Sequence, residues 1–261
     1  MGKTTMTEQV KRRTTKRKKA EKEQAPMWVS TGSTLLDLAI AGERVRGGGI
    51  PAGILVEIFG PASSGKTVLL CEIAGAVRRA DGEVLFRDPE ARLNEQFAAL
   101  FGLDVNDIAY STPSTVPEVF QPIREWDVDS TRMNAAFADS LAALTTKAEE
   151  DQNDQYGMRR AKEFSQECRL TCRVLAQNNI LMVCSNQVRQ NLDAGPYGQK
   201  YKSPGGEAIG FYSSLRLRAK GSQKMLRKRR FNGKEIARTI GVQTEFEVHK
   251  SSIGQPYRGA T

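Results

Sequence analysis

Histidine is almost missing from this chain: His249 is the only one in 261 residues. The four cysteines, Cys71, Cys168, Cys172 and Cys184, form no Cys-x-x-Cys pair. Together these two shortages exclude a zinc site of closely spaced thiolates and imidazoles, and a disulfide framework with it. Cys168 and Cys172 stand four apart on an expected helix and read as small residues of its buried stripe. No apolar run approaches the roughly 20 residues of a membrane span, and the first residues are basic and polar, unlike a secretory signal. No membrane partner is therefore expected, and the cysteine usage suits a reducing, cytoplasmic setting. Aromatics are sparse at 7%, and hydrophobic residues reach 39%, below the globular average but enough for one sizeable core. The length sets the expectation of a single α/β domain with a small appendage.

Against these shortages stands one complete phosphate-binding pattern. Gly60-Pro61-Ala62-Ser63-Ser64-Gly65-Lys66-Thr67 satisfies G-x-x-x-x-G-K-[ST]. An apolar strand, Ile54 to Phe59, precedes it, and an amphipathic helix, Val68 to Arg79, follows. Backbone N–H groups at such a helix start converge on one concavity, together with the positive end of the helix dipole. Gly60 and Gly65 are expected to let the backbone wrap a phosphate without Cβ clashes. Lys66 offers a point charge to the β- and γ-phosphates of ATP, and Thr67 a hard oxygen for Mg²⁺.

A nucleotide-binding chain with a formal charge of +9 points to a polyanionic partner, most simply nucleic acid. Residues 1–26 carry nine Lys and Arg against Glu8, Glu21 and Glu23. This tail reads equally as a solubilising segment and as an arm that packs on a partner or on DNA. From Met27 to Thr261 the chain reads as one globular core. Ser30-Thr31-Gly32 opens a short capped helix, and the Gly-rich stretch from Gly42 to Gly53 is a loop. Strands are expected at Glu83–Phe86, Asn134–Ala138 and Ile180–Cys184, with helices at Asn94–Phe101 and Glu163–Gln177. This alternation predicts a mostly parallel twisted sheet with helices on both faces.

In such a sheet, ligands gather at the carboxyl ends of the strands, and Gly60, Glu90, Asp139 and Gln187 all fall there. Asp139 is placed to hold Mg²⁺, Glu90 to orient and deprotonate an attacking water, and Gln187 to sense a γ-phosphate. Glu90 is read as standing at a neighbouring strand end with no cation required beside it. Two long aperiodic segments, Glu149–Gly157 and Arg189–Lys202, lie near basic residues, including Arg159, Arg160, Lys162, Arg169, Arg173 and Arg189. They suit a phosphodiester backbone, with apolar tips available to stack on bases.

These residues in order resemble the RecA recombinase family, including its phage-type members. The resemblance is carried by Ser30-Thr31-Gly32 with Leu36-Asp37, by Val56 to Thr67, by Asp139 to Leu144, by Asn186-Gln187-Val188-Arg189, and by Gly205-Gly206 with Ala208, Phe211-Tyr212 and Arg216-Leu217. It implies a RecA-like P-loop NTPase core, ATP and Mg²⁺ as cofactors, and single- and double-stranded DNA as partners. It also implies self-association into a helical filament, in a bacterial or phage-infected host cytoplasm. Within it, Glu90, Lys66 and Gln187 would be catalytic, and the phosphate loop through Val68 would bind nucleotide together with Asp139. Asn94 and Phe97 would touch adenine, and Thr67 and Asp139 would hold the metal. Lys162, Arg169, Arg189, Leu192, Gly205 and Gly206 would contact DNA. Phe211 and Lys250 would sit at the subunit interface, with Lys250 reaching the neighbour's phosphates.

Four departures from the family pattern stand out: Ser252 replaces a second interfacial lysine, Glu207 an Asn, and Arg87 an apolar residue, while Gly221–Gly241 is a basic insert around an Asn232-Gly233 turn. That insert is a candidate second DNA contact. Because the chain ends at Thr261, the family's last core strands and C-terminal domain are not expected in it. The leading expectation is a DNA-dependent ATPase that forms filaments on single strands and catalyses strand exchange. A weakly hydrolysing DNA-coating or mediator protein is the second reading, and a hexameric helicase on the same core the third.

Overall fold

The apolar run before the phosphate loop forms β3 (Leu55–Gly60), and every residue of it is buried. Four strands lie parallel to one another in its sheet: β4 (Val84–Arg87), β5 (Ala109–Ser111), β6 (Asn134–Ala138) and β7 (Ile180–Gln187). The first residues of β10 (Leu215–Phe231) also pair parallel to β3, on the side opposite β7. Antiparallel β11 (Lys234–Ser251) and β12 (Gly259–Ala260) complete that edge. The computed structural model describes residues 27–42, 48–145, 158–190, 201–202, 207–232 and 234–260, and for 158–159, 189–190 and 201–202 the backbone alone. Among these, the main sheet runs β12–β11–β10–β3–β7–β6–β4–β5. Two short antiparallel pairs accompany it: β1 (Trp28–Val29) with β2 (Ile50–Pro51), and β8 (Arg189–Gln190) with β9 (Tyr201–Lys202).

Burial on both faces is why the central strands read as continuous apolar runs. Their period of two divides them between two cores. Val56, Ile58, Phe86, Phe137 and Val183 face one layer, built by α1 (Thr34–Ala41), α2 (Lys66–Arg79) and α3 (Glu95–Ala99). Leu55, Leu85, Ala136, Met182 and Cys184 face the other, where α4 (Val116–Arg124), α5 (Met158–Asn178) and α6 (Ala208–Tyr212) contribute Phe120, Ile123, Phe164 and Ile209. Each fully buried Leu, Ile or Phe stabilises the fold by about 1.5–3 kcal/mol. The α/β architecture with helices on both faces is the one the sequence predicts.

The expected third strand forms at Asn134–Ala138 as read, although alanine fills three of its five positions. The helix expected at 163–177 begins earlier, at Met158. The segment 102–133, to which the sequence reading assigned no element, contains β5 and α4. Two prolines explain the omission of α4. Pro117 stands in its first turn, where its missing N–H has no intrahelical partner to lose. Pro122 lies inside the helix, and the buried Val119, Phe120 and Ile123 around it hold the helix against α5. Residues 1–26, the Glu149–Gly157 loop, Leu192, Gly205 and Gly206 lie outside the described residues. The Arg189–Lys202 segment, read as structureless, starts and ends on the β8–β9 pair.

Candidate active site

The loop after β3 turns through Ser63 at φ +56 and Gly65 at φ +80. Gly65 precedes α2 without any side-chain cap, so the first N–H groups of the helix are free to meet an anion. Gly60 also has a neighbour that no local pattern shows. A Cβ there would stand 2.5 Å from the carbonyl oxygen of Ala219 on β10, so the missing side chain admits a neighbouring strand. Lys66 is buried, and its ammonium donates to the carbonyl oxygens of Pro61 at 2.6 Å and Gly60 at 3.2 Å. Burial lowers its pKa, while the nearby Asp139 and Glu90 carboxylates oppose that shift. Its charge therefore faces a cleft lined by acids.

The cleft encloses about 360 Å³ and is lined by residues 62–68, Asp88, Glu90, Arg92, Leu93, Asp139, Ser140, Gln187 and Val242. The Thr67 hydroxyl donates to Asp139 Oδ2 at 2.5 Å, and the Ser185 hydroxyl donates to the other oxygen of the same carboxylate. Two hard oxygens thus stand side by side at the foot of the cleft. No group of three or more His, Cys, Asp or Glu converges anywhere among the described residues. That donor set fits Mg²⁺, which takes one or two protein oxygens and completes its shell with phosphate and water.

Glu90 reaches the cleft by a longer route than the sequence suggests. Its strand, β4, lies beside β6, the strand that ends at Asp139, as expected, but β6 and β7 separate it from β3. The segment after β4 carries it back across. Asp88, 2% exposed, organises that segment by accepting from the backbone N–H groups of Arg92 and Leu93, both at 2.8 Å, and from the Tyr110 hydroxyl at 3.0 Å. Gln187 Nε2 donates to Glu90 Oε1 at 3.3 Å, which joins the ends of β4 and β7. Glu90 also has a cationic partner the sequence reading did not give it: Arg92, at 2.8 Å. A carboxylate held between an amide and a guanidinium, with Lys66 facing the same cleft, can orient a water against a terminal phosphate.

Sequence reasoning missed Asp88, Arg92, Ser185 and Val242. Asp88 had a visible signal, an Asp-Pro step directly after a strand, and Ser185 another, a hydroxyl within a buried apolar run. Nothing local marks Val242, which arrives from β11. Other expected residues stand apart from this cleft. Asn94 caps α3 by accepting from the Phe97 N–H at 3.0 Å, Phe97 packs edge-on against Phe101, and neither lines the cleft. Lys162 and Arg169 are exposed on α5. On α6, Phe211 is 75% exposed, and the Lys250 ammonium donates to the carbonyl oxygens of Gly210 and Phe211, both at 2.9 Å. Arg189 lies on β8 by its backbone.

A buried polar cluster adjoins the cleft. Glu57, at 0% exposure in the middle of β3, accepts from Arg216 Nε at 2.6 Å and from Asn186 Nδ2 at 3.0 Å. The Arg216 guanidinium lies 4.5 Å from the centre of the Phe59 ring. It ties together β3, β7 and β10, the strands that carry the phosphate loop, Gln187 and the hairpin.

Comparison with known proteins agrees with this arrangement. Residues 6–261 match the RecA N-terminal domain. The chain is 35% identical to Protein RecA of Thermus thermophilus over 234 residues, 89% of this chain and 65% of that one. It is 34% identical to Protein RecA of Anaplasma marginale, covering 89% and 61%, and 31% identical to that of Ruminococcus albus, covering 88% and 54%. The chain therefore spans just under two thirds of the first of these relatives and about half of the last. With the phosphate loop, Glu90, Asp139 and Gln187 gathered at the carboxyl ends of one parallel sheet, and with that match running through almost the whole chain, this protein belongs to the RecA family.

Proposed function

We propose that this protein is an ATP-dependent DNA recombinase: it binds ATP in the cleft, assembles as a filament on single-stranded DNA, and catalyses pairing and strand exchange in recombination and repair. The observation that carries this reading is the Gln187–Glu90 hydrogen bond. It links the residue positioned to activate water with the strand end from which the Arg189–Lys202 segment departs, so a γ-phosphate between Lys66 and Glu90 would disturb the bond and be felt at that segment. Thr67 and Asp139 would hold Mg²⁺, which supplies charge neutralisation for the polyphosphate. Lys66 positions the β- and γ-phosphates, and Glu90 takes the proton of the attacking water. Lys162, Arg169, Arg189, Leu192, Gly205 and Gly206 form the proposed single-strand path. Asn94 and Phe97 form the adenine side, and Phe211 and Lys250 the interface to the next subunit. In this reading residues 27–261 are the ATPase core, residues 1–26 are a separate basic arm, and the protein acts in the cytoplasm. No described helix is long and apolar enough to cross a membrane.

The test is ATP turnover with and without single-stranded DNA. Single strands should stimulate the wild type, and Glu90→Gln should lose about 10²–10⁴-fold in turnover while keeping nucleotide-dependent DNA binding. Normal turnover by Glu90→Gln would overturn its assignment as the base. Absence of DNA stimulation in the wild type would favour the passive DNA-coating reading, which the relatives' shared name does not. Electron microscopy of the ATP-bound complex separates a filament from a ring.

A further inference from the structure

Beyond Gly221, β10 and β11 leave the sheet and continue as a two-stranded ribbon whose residues from 222 to 240 are all exposed, Gly233 at its turn lying outside the described residues. This ribbon holds a large share of the chain's positive charge. Residues 222–244 contain seven Lys and Arg against one acid, Glu235, and residues 1–26 contain nine against three; the remaining 23 cations are outnumbered by 26 acids. At the root of the ribbon the charge is cancelled, because the Lys220 ammonium contacts Glu245 and Glu247, each at 2.7 Å. Free positive charge begins only beyond that point.

The register divides the ribbon into two unlike faces, since directly paired residues share a face and successive residues alternate. One face carries Ser222 opposite Thr244, Lys224 opposite Val242, Leu226 opposite Thr239, Lys228 opposite Ala237, and Arg230 opposite Glu235. At its root this face turns to the phosphate loop: the Ser222 hydroxyl donates to the Ser63 carbonyl oxygen at 3.2 Å, and Val242 lines the cleft. Towards the tip its charge is partly answered, with Lys228 and Glu235 paired at 2.8 Å. The opposite face has three outer rungs, Arg227 with Arg238, Arg229 with Ile236, and Phe231 with Lys234. It holds four cations and no acid, around an aromatic ring that is 67% exposed.

Arg227 and Arg238 are direct cross-strand partners, an arrangement that destabilises a β-ribbon unless something neutralises it. A row of phosphates does so. Arg227 and Arg229 lie two residues apart on one strand, about 7 Å along it, a comb of guanidiniums suited to phosphate oxygens. A two-stranded ribbon is also an element that the major groove of B-DNA admits. We propose that the Arg227–Arg229–Lys234–Arg238 face of this ribbon is a docking surface for double-stranded DNA that grips the phosphodiester backbone and works without nucleotide in the cleft. The proposal rests on the recombinase reading only for the class of polyanion. It uses neither the ATP site nor the single-strand path.

Anisotropy of a fluorescein-labelled DNA duplex, measured across a salt series with the full chain and no nucleotide, tests it. The tail is common to every variant and drops out of the comparison. Arg227→Ala/Arg229→Ala/Arg238→Ala should weaken duplex binding at least roughly tenfold and lower the slope of log K against log salt by about 2–3, close to one per lost phosphate contact. Lys224→Ala/Lys228→Ala, on the other face, should change both far less. The substituted side chains are exposed, and matching circular dichroism and melting curves establish that the variants are folded. Equal loss from the two variants would overturn the assignment to one face. An unchanged slope in the triple variant would overturn the site, as would polyglutamate displacing the duplex as effectively as unlabelled duplex of equal charge. Single-strand binding with ATP is measured in parallel. Its failure in the wild type would count against the recombinase reading alone, whereas its retention in a triple variant that has lost duplex binding supports the ribbon as a separate site.

Discussion

Arg216→Met removes the cation bonded to Glu57, which is fully buried at the centre of β3. Breaking a buried pair by deleting one partner costs about 3–5 kcal/mol, because the remaining charge is uncompensated. The same substitution removes the stacking of the guanidinium on Phe59 at 4.5 Å, worth about 0.5–2 kcal/mol. The Asn186 amide still donates to Glu57, which keeps the total near the lower end, at about 4 kcal/mol. Replacing both charges is different in kind. In Glu57→Gln/Arg216→Met no buried charge is left, Gln keeps an acceptor for Asn186, and only the stacking is lost, so the double variant should lie within about 1–2 kcal/mol of wild type. Urea unfolding followed by circular dichroism gives the three free energies. In thermal melts the single variant should fall by about 8–16 °C, at 2–4 °C per kcal/mol for a chain of this size. If the double variant is as unstable as the single one, the uncompensated charge is not the cause and the reasoning fails. A single variant within about 1 kcal/mol of wild type refutes it equally.

Two further predictions concern the strand contact and the thiols. Gly60→Ala places a methyl 2.5 Å from the Ala219 carbonyl oxygen; it should destabilise the fold by about 1–3 kcal/mol and weaken nucleotide affinity. Ala219→Gly should rescue it only in part, since it removes the Ala219 Cβ contact at 2.9 Å but leaves the carbonyl oxygen at 2.5 Å; full rescue of the calorimetric affinity and urea midpoint by the pair would show the clash was read wrongly. Burial pushes the Cys71 thiol up to about 12, raises Cys168 and Cys184 above their ordinary value, and together with the hydrogen bond to Asp88 takes Tyr110 to about 12. A group raised in the folded state contributes stability that is present below its unfolded pKa and lost as pH rises through the folded one. Urea midpoints should therefore hold near neutrality and fall from about pH 9 upward, and these three cysteines should resist a thiol reagent at about pH 8 until denaturant is added. A midpoint that rises between about pH 9 and 11 contradicts the assignment.

The phosphate-loop half of the candidate site was legible in the sequence because its signals are local. The phosphate loop, its strand and its helix are contiguous, and Asp139 and Gln187 each end an apolar run. What escaped depends on distant pairing. That β4 is separated from β3 by two strands follows from sheet order, which no local period encodes. The organising role of Asp88 requires the turn after β4 and Tyr110 on β5, 22 residues further on. Helix α4 was hidden by two prolines, and the interior one, Pro122, is tolerated because the buried Val119, Phe120 and Ile123 hold the helix in the folded context. The contact at Gly60 escaped for the same reason: a Cβ there would meet Ala219, on a strand far along the chain. The basic insert was visible as composition, but its division into two faces needed the bulged register of β10 and β11.

That register also bears on how one strand would serve the two proposed ligands of like charge. Residues Leu215–Arg218 of β10 lie against β3, directly beneath the phosphate loop, and the same strand then runs outward as the ribbon. At the root, Lys220 is neutralised by Glu245 and Glu247, and contact with the loop runs through a serine hydroxyl, a valine and the gap left by Gly60, while Lys224, opposite the cleft-lining Val242, is the ribbon cation left on that side. The cleft keeps its own balance, with Lys66 and Arg92 among Asp88, Glu90 and Asp139. At the Debye length of about 8 Å in physiological salt, the arginines beyond Leu226 are several residues along an extended strand from that cleft, roughly 3.3 Å each. Their field is largely screened before it reaches the nucleotide. The ribbon's length thus keeps the strong positive charge of its tip apart from the site at its root.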